Sequence, residues 1–195
     1  MRPAFTPIEG RFVRLEPFAP ELRDAVGAMM DCDGALWEIM SSSGQGEHFA
    51  TWWATALGDQ ARGERMPYVV RRLQDGRIVG TTSYLTLRPA HRGLEIGHTF
   101  LHPDARGGPA NPESKYLLLD HAFAAGIVRV ELMVDVRNAR SQAAALKLGA
   151  RREGLLRRHK ITWTGHIRDT VAFSITDLDW PAVREGLEAR LAAFA

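Results

Sequence analysis

Hydrophobic positions along this chain switch between a period of two and a period near 3.6, and each switch marks an element. Residues 10–17 alternate as a first strand, with Phe12 and Leu15 set among polar residues. Residues 20–30 read as a helix and 31–46, rich in Asp, Gly and Ser, as a loop. A second helix is predicted over 47–57, with Trp52 and Trp53, ending at Gly58 or Gly63. Strand-like runs at 67–73 and 77–87 flank Gln74-Asp75-Gly76, and Asp-Gly between such runs signals a hairpin. His91-Arg92-Gly93 then turns the chain into a strand at 94–101. A helix follows over 112–125, with Asn111 as its N-cap, Pro112 at the first helical position and Gly126 at the exit. Beyond it come a valine-rich strand at 128–136 and a short helix starting at Asn138 or Ala139 and stopping at Gly149. Strands at 151–163 and 166–175 flank Thr164-Gly165, and a last helix covers 179–193.

This order predicts an α+β (mixed α/β) fold in one domain spanning 1–195. Its sheet would have about seven strands with helices packed on both faces and an extra C-terminal helix. Two nucleotide-binding α/β classes fit poorly. The chain has no G-x-x-x-x-G-K-[ST], and no G-x-G-x-x-G followed by an acidic strand end.

Composition narrows the partners. With 195 residues and 45% apolar content, the chain is long enough for a real core. A net charge of +2, with arginines scattered along the chain, argues for a solvated surface over a nucleic-acid stripe, although the pI is near 9.0. The single cysteine, Cys32, excludes an internal disulfide and any multi-cysteine zinc site. His98 and His102 are spaced i, i+4, but on strand and turn, with no third ligand nearby in sequence, so no metal is expected. No apolar run approaches a membrane span and residues 1–10 lack a signal-peptide core, which points to a cytoplasmic protein with no membrane partner.

The stretch Arg106-Gly107-Gly108-Pro109-Ala110-Asn111 carries the chemistry, because it joins a strand to a helix start. Backbone N–H groups there lack intrahelical partners and sit at the positive end of the helix dipole. Glycines let an anion approach them, so a phosphate-bearing ligand is expected.

Several segments in the right order resemble the GNAT superfamily of acyl-CoA N-acyltransferases, in its RimJ/RimL-type branch. They are residues 10–17, Leu94-Glu95-Ile96-Gly97-His98-Thr99-Phe100, 102–111 with the glycine turn, 113–123, 130–132, 135–142, Lys147-Leu148-Gly149-Ala150, 151–157 and 168–171. The resemblance covers nearly the whole chain. It implies a central mixed, mostly antiparallel sheet with a V-shaped gap between the strands at 94–101 and 128–136. It further implies acetyl-CoA as acyl donor, an amine acceptor (a protein N-terminus or a small molecule) and direct transfer. Another acyl group such as succinyl, a homodimer, and a non-catalytic CoA-binding or protein-interaction module stay open.

By that resemblance the cofactor contacts are Phe100, Leu101, Arg106, Gly107, Gly108, Ala110, Asn111 and Asn138. The family motif would place glycine where Pro109 stands, and proline has no N–H to offer a phosphate. Amine acylation needs a base for the ammonium and an acid for the leaving thiolate. Glu95 beside the gap is a candidate base, or else the partner of an arginine. Glu131, in an otherwise apolar strand, is a second candidate through a burial-raised pKa, or else a core salt bridge. Ser141 is the candidate acid, or else a helix serine bonded to its own backbone. Lys115 and Arg140 either approach the phosphates or are solvated. Trp37, in the loop 31–46, is the candidate acceptor contact.

Overall fold

The computed structural model describes residues 2–194. Its strands are β1 (Ile8–Glu9), β2 (Val13–Pro17), β3 (Met66–Arg72), β4 (Ile78–Arg88), β5 (Gly93–Leu101), β6 (Arg129–Asp135), β7 (Arg151–Ile161) and β8 (Ile167–Thr176). They form one 8-stranded sheet in the order β1-β2-β3-β4-β5-β6-β8-β7. Every pairing is antiparallel except β5 with β6.

The helices are α1 (Arg23–Met30), α2 (Gly34–Glu38), α3 (Phe49–Ala61), α4 (Ala110–Ala124), α5 (Ala139–Lys147) and α6 (Trp180–Ala192). They bury two cores. Leu118 and Leu119 of α4, Ala145 of α5 and Trp180 and Leu187 of α6 join Leu15, Leu94 and Ile96 in one. Val26 and Met30 of α1, Trp37 of α2 and Trp52 and Trp53 of α3 join Phe18 and Phe100 in the other.

Strand β5 contributes to both cores because its alternation slips. Leu94 and Ile96 belong to one core and Phe100 to the other, although all three occupy even positions. The register explains this: Gly97 pairs with Ser83 and Phe100 with Thr81, so β5 carries an extra residue, and His98 there has φ of 47°. A bulge that adds one residue swaps the faces beyond it.

The model differs from the sequence expectation in three places. A short edge strand, β1, pairs with β2 and raises the strand number to eight. The predicted loop contains α2, whose N-terminus is capped by Asp33 accepting from the Leu36 N–H at 3.3 Å. A helix of 5 residues in a Gly- and Ser-rich stretch leaves too few turns for periodicity to reveal. Finally, α4 begins at Ala110 with Pro109 in the cap position, so Asn111 is not the N-cap and Pro112 is the third helical residue. Proline is tolerated there because N–H groups in the first turn have no intrahelical acceptor to lose.

Candidate active site

Parallel pairing between β5 and β6 comprises Gly93↔Arg129, Leu94↔Val130 and Glu95↔Glu131, and then stops. Each strand keeps its outer partner well past that point, to Leu101↔Gly80 on one side and Asp135↔Thr170 on the other. The strands therefore splay as intact ribbons, and the bulge at His98 bends β5 where the opening begins. Backbone groups on the facing edges are left for a ligand. A cleft of about 510 Å³ fills the gap, with Glu95, Gly97, Thr99 and Leu101 on one wall and Leu132, Val134 and Asp135 on the other.

One end of the cleft is the turn leading into α4. Gly107 adopts φ of 79°, and a Cβ added at Gly107 or Gly108 would meet nothing within 4 Å, so space beside this backbone is open. The first intrahelical bond runs from the Glu113 N–H to the Pro109 carbonyl at 2.9 Å. Ala110 and Asn111 therefore present unpaired N–H groups, while Pro109 and Pro112 present none. The Ala110 side chain itself is buried in the core, so only its backbone is available here. Arg106 donates from Nε to the Leu101 carbonyl at 2.9 Å and pairs through Nη1 with Asp33 at 2.5 Å. Its Nη2 is buried without a partner.

Lys115 is not solvated. Its Nζ donates to Thr99 Oγ1 at 2.6 Å and Thr82 Oγ1 at 3.4 Å beside the cleft, and burial lowers its pKa to about 7. The sequence offered Lys115 only as a phosphate contact or a solvated side chain; its burial was not visible because α4 is buried on nearly all sides and shows no polar stripe for a lysine to interrupt. Arg140 also lines the cleft.

The other end holds Glu95, which is 8% exposed and accepts from Thr86 Oγ1 at 3.3 Å. Its carboxylate lies over Gly97: a Cβ at that glycine would fall 2.9 Å from Glu95 Oε1. Burial raises the Glu95 pKa, opposed by Lys160 and the Thr86 bond. Beyond the end of β6, Asn138 caps α5 by accepting from the Ser141 N–H at 2.9 Å, which leaves its side-chain NH₂ for the cleft. Ser141 also lines the cleft, and its hydroxyl makes no hydrogen bond within the described residues.

Three sequence expectations are corrected. Glu131 does not line the cleft, and it pairs with Arg88 at 2.7 Å and Arg129 at 2.9 Å. Burial pushes its carboxyl upward, but the two guanidiniums outweigh that and its pKa is lowered. Trp37 is 1% exposed, stacks on Phe100 with ring centroids 4.6 Å apart, and donates Nε1 to the Met30 and Cys32 carbonyls. It supports the wall from behind. Phe100 likewise turns its ring into that core, away from the cleft.

The rest of the cleft lining was only partly visible in the sequence. Segment 39–42 after α2 lines it, as do Lys160 and Arg168. Arg168 donates to Ser41 Oγ at 2.9 Å and the Met133 carbonyl at 2.8 Å, and Trp163 donates Nε1 to the Trp37 carbonyl at 2.9 Å. These bonds close the β7–β8 hairpin over the segment after α2. Among the described residues, no group of three potential metal-ligating side chains forms, and no helix is long and apolar enough to cross a membrane.

A splayed parallel pair, a bulged strand and an anion turn at a helix start define an acyltransferase architecture. The model of the acetyltransferase (GNAT) domain matches residues 13–151, and the chain belongs to that family. It is an acetyltransferase. The uncharacterized N-acetyltransferase YoaA of Bacillus subtilis (strain 168) is 31% identical over 121 residues, covering 62% of this chain and 66% of YoaA, just under two thirds of the latter. A GCN5-related N-acetyltransferase from Brucella melitensis superposes with a TM-score of 0.89 at 28% identity, covering 97% of this chain and 86% of that one. RimJ of Mycobacterium smegmatis, solved in complex with CoA-disulfide, shares the fold at TM-score 0.78 and 24% identity, covering 94% and 92%.

Proposed function

We propose that this enzyme transfers an acetyl group from acetyl-CoA directly to a primary amine, both substrates being bound together. One observation carries the reading. The β5–β6 pairing ends at Glu95, so a buried carboxylate of raised pKa stands at one end of a cleft whose other end is an open, N–H-rich helix start. The residues present fit the donor. Open space over Gly107 and Gly108 and the orphaned Nη2 of Arg106 suit a diphosphate. The free edges of β5 and β6 suit the amide-rich arm, and a protein of the same fold has been solved with CoA-disulfide.

Residue roles follow from placement. Gly107, Gly108, Ala110, Asn111 and Arg106 hold the diphosphate, and Leu101 and Asn138 flank the arm. Glu95 removes a proton from the ammonium, directly or through water, and its raised pKa makes it a stronger base than an exposed glutamate. The neutral amine forms the C–N bond as the C–S bond breaks, Ser141 Oγ passes a proton to the departing thiolate, and the proton shed by the acylated nitrogen restores the serine hydroxyl through water. The acetyl-CoA supplies the activated thioester; the chain supplies orientation and proton transfer.

The test is free thiol release from acetyl-CoA against a panel of small amines and N-terminal peptides. Saturable, amine-dependent release is expected. Tight acetyl-CoA binding with no thiol from any acceptor would refute the reading.

A further inference from the structure

Beside the cleft lies a second pocket of about 260 Å³, and Ser42 and His98 line both. We propose that this pocket receives a carboxylate of the acceptor, so that the substrates are small amines that also carry an acid group. The inference rests on the acyl-transfer reading above and specifies its acceptor.

At the pocket's base is Arg65, 3% exposed. Its Nε donates to Ser83 Oγ at 2.9 Å and its guanidinium lies 5.5 Å from the Trp52 ring centroid. Its Nη2 is buried without any partner. Arg65 makes no ion pair within the described residues. Asp59 also lines the pocket and partly offsets the Arg65 charge, but it makes no direct ion pair with Arg65 and is engaged by Arg62. Burying a guanidinium without a directly paired anion is costly, and burial lowers even this group's pKa to about 10. A ligand anion would remove that cost.

His98 supplies the second observation. Its Nδ1 is also buried and unpartnered, and its backbone holds φ of 47°, a left-handed conformation that residues other than glycine seldom adopt. The bulge that forces this conformation turns His98 into the wall between the two cavities. Burial and the Arg65 charge lower its pKa to about 3, so the ring is neutral and one tautomer offers Nδ1–H to an anion. Thr51 and Thr55 of α3 line the exposed mouth; the Thr55 hydroxyl donates to the Thr51 carbonyl at 2.8 Å, so only Thr51 offers a free hydroxyl proton.

Position fixes the size of the acceptor. Ser83, bonded to Arg65, pairs with Gly97, and the Glu95 carboxylate lies over Gly97. Adjacent strands are about 5 Å apart and residues rise about 3.3 Å along a strand, so base and guanidinium are separated by roughly 5–10 Å. An amine a few bonds from its carboxylate spans that interval.

The test compares amino acids of increasing chain length with their own amides, which keep the amine and lose the charge. Thiol release from acetyl-CoA is followed in wild type, Arg65→Gln and Thr55→Glu. Wild type should prefer the acids by about tenfold or more in kcat/KM, through KM, at one favoured chain length. Arg65→Gln should collapse that ratio. Thr55→Glu changes only an exposed side chain, so it keeps the test open if Arg65→Gln does not fold, and it should lower the ratio by repulsion. Equal use of acids and amides by wild type, or a ratio untouched in a folded variant, overturns the pocket assignment while leaving acetyl transfer intact. Thiol from peptides or other amines but from neither acids nor amides overturns this inference alone, whereas no thiol from any acceptor overturns the transfer reading and this inference with it.

Discussion

Glu113 is predicted to be the side chain that holds the donor turn in place. Its carboxylate accepts from the N–H groups of Arg11 at 2.8 Å, Phe12 at 2.6 Å and Val13 at 2.6 Å. These bonds tie the turn between β1 and β2 to the first turn of α4, which also presents the unpaired N–H groups. Glu113→Ala strands three backbone donors, of which the bond to Val13 is buried and the other two are part-buried. An abandoned buried donor costs about 1–3 kcal/mol, and half-solvated ones less, giving roughly 3 kcal/mol in total. For a chain of this size each kcal/mol shifts Tm by about 2–4 °C, so a fall of roughly 6–12 °C is expected. Thermal and urea unfolding of wild type and variant measure it. Gly10→Ala offers an independent arm, because a Cβ there would lie 2.6 Å from Glu113 Cδ and must push the carboxylate off its donors. A Glu113→Ala variant melting within about 2 °C of wild type would show that water replaces the three bonds at no net loss, and the reasoning would fail.

Glu95→Gln should lower kcat by roughly 10²–10⁴-fold while leaving acetyl-CoA affinity near wild type; a variant with full activity would remove Glu95 as base. The same substitution tests the pKa direction. A carboxyl whose folded pKa is raised binds its proton more tightly in the native state, so wild type loses stability as pH rises from the unfolded toward the folded pKa. The variant should therefore gain on wild type as pH rises above the ordinary glutamate range in urea titrations, and a constant gap would contradict the assignment. Ser141→Ala should reduce kcat by roughly 10²-fold, with the deficit shrinking for donors whose thiol is more acidic; an equal deficit for all donors would point to structure alone. Pro109→Gly restores an N–H at the donor turn and should tighten acetyl-CoA binding by about tenfold, read by calorimetry, unless the turn has already compensated.

Much of the fold was legible because its long elements carry strong periods and clear stops. The Asp75-Gly76 hairpin, the Gly126 exit at φ of 80° and the Asn138 cap all lie where local chemistry placed them. The bulge was not legible, because it depends on a register slip between β4 and β5 that neither strand encodes alone. For that reason His98 read as a strand histidine when it is the wall between two pockets. Glu131 misled because an acid in an apolar strand suggests desolvation, whereas Arg88 arrives from the end of β4 to neutralise it. Trp37 misled through its position in an apparent loop; Asp33 caps α2 there and is also the ion-pair partner of Arg106. Arg65 carried no sequence signal at all, since its isolation is a property of what surrounds it in three dimensions.

Calorimetric titration of acetyl-CoA into wild type and Arg106→Ala tests the central claim most directly. The account predicts one saturable site on wild type, a raised melting temperature in its presence, and affinity about tenfold weaker in the variant, which loses a charged donor to the diphosphate. No heat and an unmoved melting curve at saturating acetyl-CoA would contradict it.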